Sequence, residues 1–169
     1  MNSLNLLGMN PIEIRAIRPE DDVEVGNLIR EVLEEMNAPK TGTAYADPYL
    51  FQLSDYYNAP RRSYYVLTNG LKIFGGGGYG DLPGAEQTTC EIQKMYFDKT
   101  IRGKGWGRRL IKHVMEEARA EGYKRAYIET LESMISAQKL YEKLGFKALP
   151  GPLGSTGHCS CPIHLIKDL

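Results

Sequence analysis

The chain has 169 residues, 42% of them hydrophobic and 25% charged, which suits one globular domain with a single core and is short for two. Its 21 Lys and Arg balance 21 Asp and Glu, so no basic excess argues for a nucleic-acid partner, and any anion site has to be local. No stretch reaches the roughly eighteen apolar residues of a membrane span, and residues 1–11 lack a basic leader; a soluble, cytoplasmic domain spanning 1–169, with a flexible N-terminus over 1–11, is expected.

IEIRAIR (12–18) alternates like a strand and runs through Pro19 into a helix whose Val23, Val25, Leu28, Ile29, Val32, Leu33 and Met36 recur at helical spacing. From Lys40 to Arg62 the period fades; five aromatics between Tyr45 and Tyr57 stand among Thr, Asp and Pro, with room for a short helix at Pro48 to Asp55. SYYVLT (63–68), Asn69-Gly70 and LKIFGGGGYG (71–80) read as a hairpin closed by a two-residue type I′ turn. TTCEIQKMYF (88–97) is the next strand, followed by glycines at 103, 105 and 107 and an amphipathic helix ending at Gly122. RAYIET (125–130) is a strand, Ser133 caps a further helix that Gly145 stops, and short strands at 146–149 and 160–167 finish the chain. This order predicts an α/β fold of the mixed α+β kind: a mostly antiparallel central sheet with one parallel β-α-β crossover at 88–130 and helices on both faces.

The crossover carries the first chemical signal. Glycines at the mouth of a helix let a ligand approach the backbone closely, and the free N–H groups with the helix dipole suit a pyrophosphate. A P-loop is excluded because Gly103-Lys104 is followed by Gly105, not Ser or Thr. The G-x-G-x-x-G spacing of Gly75, Gly77 and Gly80 opens no helix, so these glycines mark a bulged or closely approached strand instead.

Arg102-Gly103-Lys104-Gly105-Trp106-Gly107, after a strand ending Lys94-Met95-Tyr96-Phe97, resembles the acyl-CoA-binding signature of the GNAT superfamily of N-acyltransferases. Ala137-Gln138-Lys139-Leu140-Tyr141-Glu142-Lys143-Leu144-Gly145-Phe146 is similar to that family's second motif, and the resemblance covers roughly residues 12–149. It implies a small bacterial-type N-acetyltransferase fold with acetyl-CoA as acyl donor and no metal. The cofactor-binding residues it implies are Arg102, Gly103, Lys104, Gly105, Trp106, Gly107 and Arg108 around the pyrophosphate, with Met95, Tyr96 and Phe97 along the pantetheine arm. Tyr141 matches the tyrosine that protonates the leaving thiolate. Met134 stands where the family often has Asn, which removes an accessory contact to that arm. The implied acceptor is the primary amine of a small molecule or peptide, with neither nucleic acid nor membrane as partner; a homodimer is left open.

An alkylamine with a pKa near 10.4 is neutral at pH 7 to roughly one part in 2,500, a handicap of about 4.6 kcal/mol. A base is therefore needed. Glu91 resembles the glutamate many relatives use through water, and strand parity puts it on one face with Met95 and Phe97; Glu129 is the second candidate. No cysteine lies in either motif, so direct attack is expected, with Cys90 beside Glu91 leaving a ping-pong route open. A non-catalytic acyl-CoA sensor is the alternative function. His158, Cys159, Cys161 and His164 have the wrong spacing for a zinc site and would alternate along an extended strand. His158 can instead border the acceptor pocket with the loop 150–158 and the Tyr-rich segment 45–65, while His113 is expected to be solvated.

Overall fold

The computed structural model describes residues 10–169, and residues 1–9 of the N-terminal segment expected to be flexible lie outside them. The elements are β1 (Glu13–Ala16), α1 (Asp22–Glu35), α2 (Leu53–Tyr56), β2 (Ser63–Thr68), β3 (Ile73–Asp81), β4 (Thr89–Phe97), α3 (Trp106–Ala120), β5 (Arg125–Thr130), α4 (Ile135–Lys143), β6 (Lys147–Ala148) and β7 (Ile163–Asp168). They build a seven-stranded sheet in the order β1-β2-β3-β4-β5-β7-β6. Among the described residues only β4 and β5 pair in parallel, as a β-α-β crossover requires.

Each face of the sheet buries one helical stripe. Leu110, Ile111, Val114 and Ala118 of α3 pack with Tyr141 of α4 over Cys90, Ile92, Ala126 and Ile128. Val25, Leu28, Ile29, Val32 and Leu33 of α1 pack on the other side against Tyr64, Val66 and Ile73. Val23 and Ile135, counted with these stripes from their spacing, lie exposed at the helix starts.

Local chemistry changes three boundaries. The β2–β3 connection is a four-residue loop rather than a type I′ turn: Gly70 has φ 82 while Asn69 stays out of the left-handed region that such a turn requires. Asn69 instead uses its side-chain oxygen to accept the N–H groups of Leu71 and Lys72, each at 3.0 Å. Ser133 does not cap α4; Met134 occupies that position with no side-chain cap, and Gln138 closes the entry by donating to the Leu131 carbonyl at 2.9 Å. The region 158–162 is turn, and the last strand begins at Ile163. The short helix of the 40–62 segment is a single turn at Leu53–Tyr56, preceded by a 3-10 turn at Ala44–Ala46.

The decisive irregularity is in β4. Gly76 pairs with Tyr96 but Gly78 pairs with Gln93, so β4 carries one residue more than β3 across this stretch. Lys94, at φ 51, is the bulge. It reverses the strand's parity: Met95 and Phe97 pack into the cluster under α3 with Cys90 and Ile92, whereas Tyr96 packs under α1. The expectation that Glu91 shares a face with Met95 and Phe97 is thereby overturned, because a side-chain period of two does not survive an inserted residue. β4 leaves β5 after Glu91, three residues before the bulge. Their ladder has three pairs, Thr89 with Arg125, Cys90 with Ala126 and Glu91 with Tyr127, while β5 pairs with β7 from Arg125 to Thr130.

The glycine run in β3 makes room for this. A Cβ at Gly76 would lie 2.6 Å from the Tyr64 ring, and one at Gly77 or Gly78 would collide with Met95 or with the Ser63 backbone carbonyl. Gly78→Ala is expected to lower stability by about 1–3 kcal/mol, because a backbone atom cannot step aside like a flexible side chain; urea unfolding of the two proteins measures the difference.

Candidate active site

At the donor end, Gly103 and Gly105 take φ 72 and 82, and a Cβ at either would meet nothing within 4 Å. The cup is open to solvent and shaped by backbone. The first backbone bond of α3 runs from Arg109 N–H to the Gly105 carbonyl at 3.2 Å, so the preceding amides at the helix start have no partner within the helix. The nearby cations are partly committed elsewhere. Arg102 forks onto Glu35 at 2.7 and 2.8 Å and donates to the Phe97 carbonyl at 2.8 Å. Lys104 donates to the Thr100 carbonyl at 2.8 Å, and Arg109 stacks 4.7 Å over Trp106; Arg108 is exposed. Gly107 sits where a Cβ would be 3.4 Å from Leu140 and 3.6 Å from Phe97, so the helix start, the end of β4 and α4 meet there.

Between Glu91 and the cup, β4 runs without a β5 partner. Met95 and Phe97 line the α3 side. Tyr141 is buried in the same cluster, 5.8 Å from the Phe146 ring; burial pushes its phenol well above the ordinary range, and among the described residues its hydroxyl has no hydrogen-bond partner. Burial also raises Tyr96, with Cys161 and Tyr141 near it.

On the α1 side the reversed parity gathers polar groups. Glu91 is 5% exposed and accepts from Gln93 at 2.7 Å, and Gln93 in turn accepts from the Tyr57 hydroxyl at 2.7 Å. Lys94 forms a buried ion pair with Asp47 at 2.6 Å, donates to the Tyr49 hydroxyl at 3.3 Å and lies over that ring. Asp47 also meets Nε2 of His158 at 3.2 Å. Glu129 accepts from the hydroxyls of Tyr127 at 2.7 Å and Thr156 at 2.6 Å.

One oxygen each from Glu91 and Glu129 and one nitrogen of His158 lie within 4.8 Å of one another. That arrangement suits an ammonium group. One oxygen of Glu91 is engaged by Gln93, and both oxygens of Glu129 are engaged by the Tyr127 and Thr156 hydroxyls. The C-terminal His and Cys residues do not gather on one point: His158 turns to Asp47, while His164 turns to the Tyr127 hydroxyl at 2.9 Å. The three cysteines are free.

The protonation states follow from these contacts. Burial, with help from the Glu129 charge, raises the Glu91 carboxyl above its ordinary 4.5. Burial also pushes Asp47 upward, but the His158 hydrogen bond and the Lys94 charge outweigh it and hold the carboxyl below 3.8. The Asp47 hydrogen bond raises His158 above 6.5 against the cost of burial. Cys90, on the opposite face from Glu91, is pushed to about 12 by burial.

The tyrosine wall expected over 45–65 divides. Tyr49 and Tyr57 border the polar cluster, with Tyr56 stacked 3.8 Å from Tyr49. Tyr45 bonds Glu34 of α1 instead. Tyr65 faces α3, where it bonds Glu117 and meets His113 edge-on at 4.4 Å, so that histidine is half-buried rather than solvated. A cleft of about 540 Å³ is lined by Tyr57 and Tyr64 and runs toward Asp22 and Ser54; Asp47, Glu91, Lys94, Glu129 and His158 do not line it. Sequence reasoning missed Asp47, Gln93, Lys94, Tyr127 and Thr156. Gln93 and Tyr127 were findable, since each stands two residues from a named glutamate on the same strand face.

The family model described as Acetyltransferase (GNAT) family matches residues 29–146. The chain is 38% identical over 167 residues to YjgM of Escherichia coli (strain K12), an uncharacterized N-acetyltransferase, covering 98% of this chain and 99% of that protein. It is 37% identical over 93 residues to an IAA acetyltransferase of Azospirillum brasilense, which spans 55% of this chain and 54% of the relative. The fold is shared with an acetyltransferase of the GNAT family from Staphylococcus aureus Mu50, at TM-score 0.82 and 20% identity over 94% of this chain and 99% of the other. It is shared also with the PaiA N-acetyltransferase of Thermoplasma acidophilum in complex with coenzyme A, at TM-score 0.72 and 15% identity over 94% and 99%.

Lys94→Met leaves the buried Asp47 carboxylate without its ammonium partner, and a stability loss of about 3 kcal/mol is expected in chemical denaturation at pH 7. The acid dependence has a definite sign. A carboxyl whose folded pKa lies below its unfolded one stabilises the fold above the unfolded value near 3.8 and loses that contribution as pH falls through the lower folded value. The stability gap between wild type and Asp47→Asn is therefore expected to narrow below about pH 4, in unfolding curves taken at graded pH.

Proposed function

The chain belongs to the acetyltransferase (GNAT) family and is thus an acetyl-CoA-dependent acyltransferase, and from that premise we propose that it moves the acetyl group to the primary amine of a small molecule or peptide by direct attack. Glu91 acts as the base, through water, and Tyr141 as the acid. The whole of 1–169 acts as one catalytic domain.

The observation that carries this reading is the opposed placement of the two groups at the neck of the β4–β5 gap. Glu91 faces the α1 side at the last β4–β5 pair, and Tyr141 stands buried on the α3 side. The open cup at Gly103 to Gly107, with Arg102, Lys104, Trp106 and Arg108 around it, fits a pyrophosphate on free amides. Beyond the bulge, Met95, Tyr96 and Phe97 have no β5 partner in the ladder, which leaves a strand edge for the amide-bearing pantetheine arm to line. These features fit acetyl-CoA as donor substrate.

In the reaction, a carbon–nitrogen bond forms as the carbon–sulfur bond breaks. A carboxylate with a raised pKa is a better match to an ammonium than a solvated glutamate, and Glu91 is raised by burial. The thiolate that departs needs a proton, and the Tyr141 phenol, kept neutral by burial, supplies it. Direct attack is favoured over an acyl-enzyme because the Cys90 thiol is pushed to about 12 and turns away from Glu91. Three carboxylates, Asp47, Glu91 and Glu129, against one lysine and one histidine leave the acceptor side short of cations, which supports an acceptor that arrives as an ammonium. No helix among the described residues is long and apolar enough to cross a membrane.

Thiol release from acetyl-CoA in the presence of pooled alkyl diamines, polyamines, amino acids and dipeptides tests the activity; binding of CoA without turnover on any of them would return the protein to the sensor reading. Glu91→Gln and Tyr141→Phe are each expected to lower kcat about 100-fold, with CoA binding by calorimetry unchanged. Wild-type turnover in both variants would overturn the roles. Because Glu91 must be ionised, the rate is expected to fall as pH drops through a value above 4.5.

A further inference from the structure

Acetylation of an ammonium leaves a proton to dispose of. The nitrogen begins with three hydrogens and the amide of a primary amine keeps one; of the two released, one restores the Tyr141 phenol after it protonates the thiolate, and the other must reach bulk water. Glu91 takes that second proton but is badly placed to release it. Its carboxyl is buried, one oxygen is bonded to Gln93, and a second carboxylate, Glu129, lies beside it.

We propose that His158, oriented by Asp47, is a catalytic residue that receives this proton from Glu91 and delivers it to solvent. The inference rests on the reading of Glu91 as base. Three observations on separate elements carry it. A ring nitrogen of His158 lies within 4.8 Å of the Glu91 and Glu129 oxygens, a separation that one hydrogen-bonded water spans. The His158 side chain is 19% exposed, so its ring reaches both the cluster and the surface. Asp47 sits 3.2 Å from Nε2, which fixes the neutral ring with its proton on Nε2 and leaves Nδ1 as the acceptor.

Asp47 is a positioning residue, and so is Lys94, which pins it at 2.6 Å from the bulge of β4. The loop is held as well, because the Thr156 hydroxyl accepts the His158 backbone N–H at 3.1 Å and donates to Glu129 at 2.6 Å. In each turnover the imidazole gains a proton from the Glu91 carboxyl and becomes imidazolium, Glu91 returns to carboxylate, and the imidazolium loses a proton to water. Nothing is oxidised or reduced.

The groups facing His158 are Asp47 from the loop before α2, Glu91 and Lys94 from β4, and Glu129 from β5. Asp47 dominates and favours the imidazolium, while Lys94 opposes it. The ring must be neutral to receive the proton, so activity is lost as pH falls through a value above 6.5.

The test uses the full chain, acetyl-CoA and the amine from the pool that gives the highest rate. His158→Gln is expected to lower kcat about 10- to 100-fold and to remove the acid limb above pH 6.5, with KM for acetyl-CoA unchanged. Added imidazole is expected to restore part of the rate of His158→Ala, a recovery that a purely structural role would not give. Asp47→Asn is expected to shift the limb to lower pH. A fourth measurement needs no acceptor: nitrogen-15 resonances of the imidazole report an Nε2–H tautomer titrating above pH 6.5 in wild type and lower in Asp47→Asn. If Glu91→Gln is slow while His158→Gln keeps the wild-type rate and limb, the relay is overturned and the base assignment stands. If Glu91→Gln is fully active, the base assignment itself has failed. An Nδ1–H tautomer, or no rescue by imidazole in a folded His158→Ala, also overturns the relay.

Discussion

The ion pair between Lys94 and Asp47 holds a lysine in the left-handed region of backbone space, a conformation that costs of order 1–3 kcal/mol for a residue with a Cβ. At 2.6 Å and largely out of solvent, the pair locks that residue in place, because parting the two would leave a buried charge alone. Almost every other property of the site follows from that residue. The extra position in β4 reverses which side chains face α1 and which face α3, so the proposed base and the surface lined by Met95 and Phe97 end on opposite sides of the sheet. The ladder with β5 has already ended, at Glu91 after three pairs, so the stretch of β4 that carries the bulge is unpaired on that side.

The two ends of the site use different electrostatics. On the proposed function the donor end relies on oriented amides, since two of the nearby cations are tied down: Arg102 to Glu35 and the Phe97 carbonyl, Lys104 to a turn carbonyl. A zero net charge is compatible with phosphate recognition for that reason. At the other end carboxylates are buried beside one another: Glu91 is met by Gln93 of its own strand, Glu129 by Tyr127 of its own strand and by Thr156, and Asp47 by Lys94 of β4.

How much of this was legible in the sequence depends on the range of the interaction concerned. Helix periodicity and the order of strands are local properties, and both were readable; so was the glycine cup, because motif and helix are contiguous. Gly75 to Gly78 were readable as a place of close approach, though not what approaches them. The bulge was not, because the reason for it lies at Asp47, almost fifty positions earlier in the chain. Without it, parity gave the wrong face for Glu91. The role of Asn69 was misjudged because its side chain replaces the backbone geometry that an Asn-Gly pair suggests. Ser133 failed as a cap because Gln138 closes the start of α4 from within the helix. His158 was readable as a residue bordering the acceptor pocket, but not its partner, because only the fold brings it to Asp47.

The second half of β4 is, in hydrogen-bonding terms, an edge. Sheet edges at the perimeter of a protein invite pairing with other chains and are a common start of aggregation. Here the unpaired edge lies inside the molecule, between β4 and a β5 that is itself held along its length by β7. A second protein chain would have to displace β5 to add a strand there, whereas a single slender, amide-bearing ligand can enter along the gap. On the proposed function the fold thereby keeps an open edge for recognition without the self-association that such an edge invites at the surface.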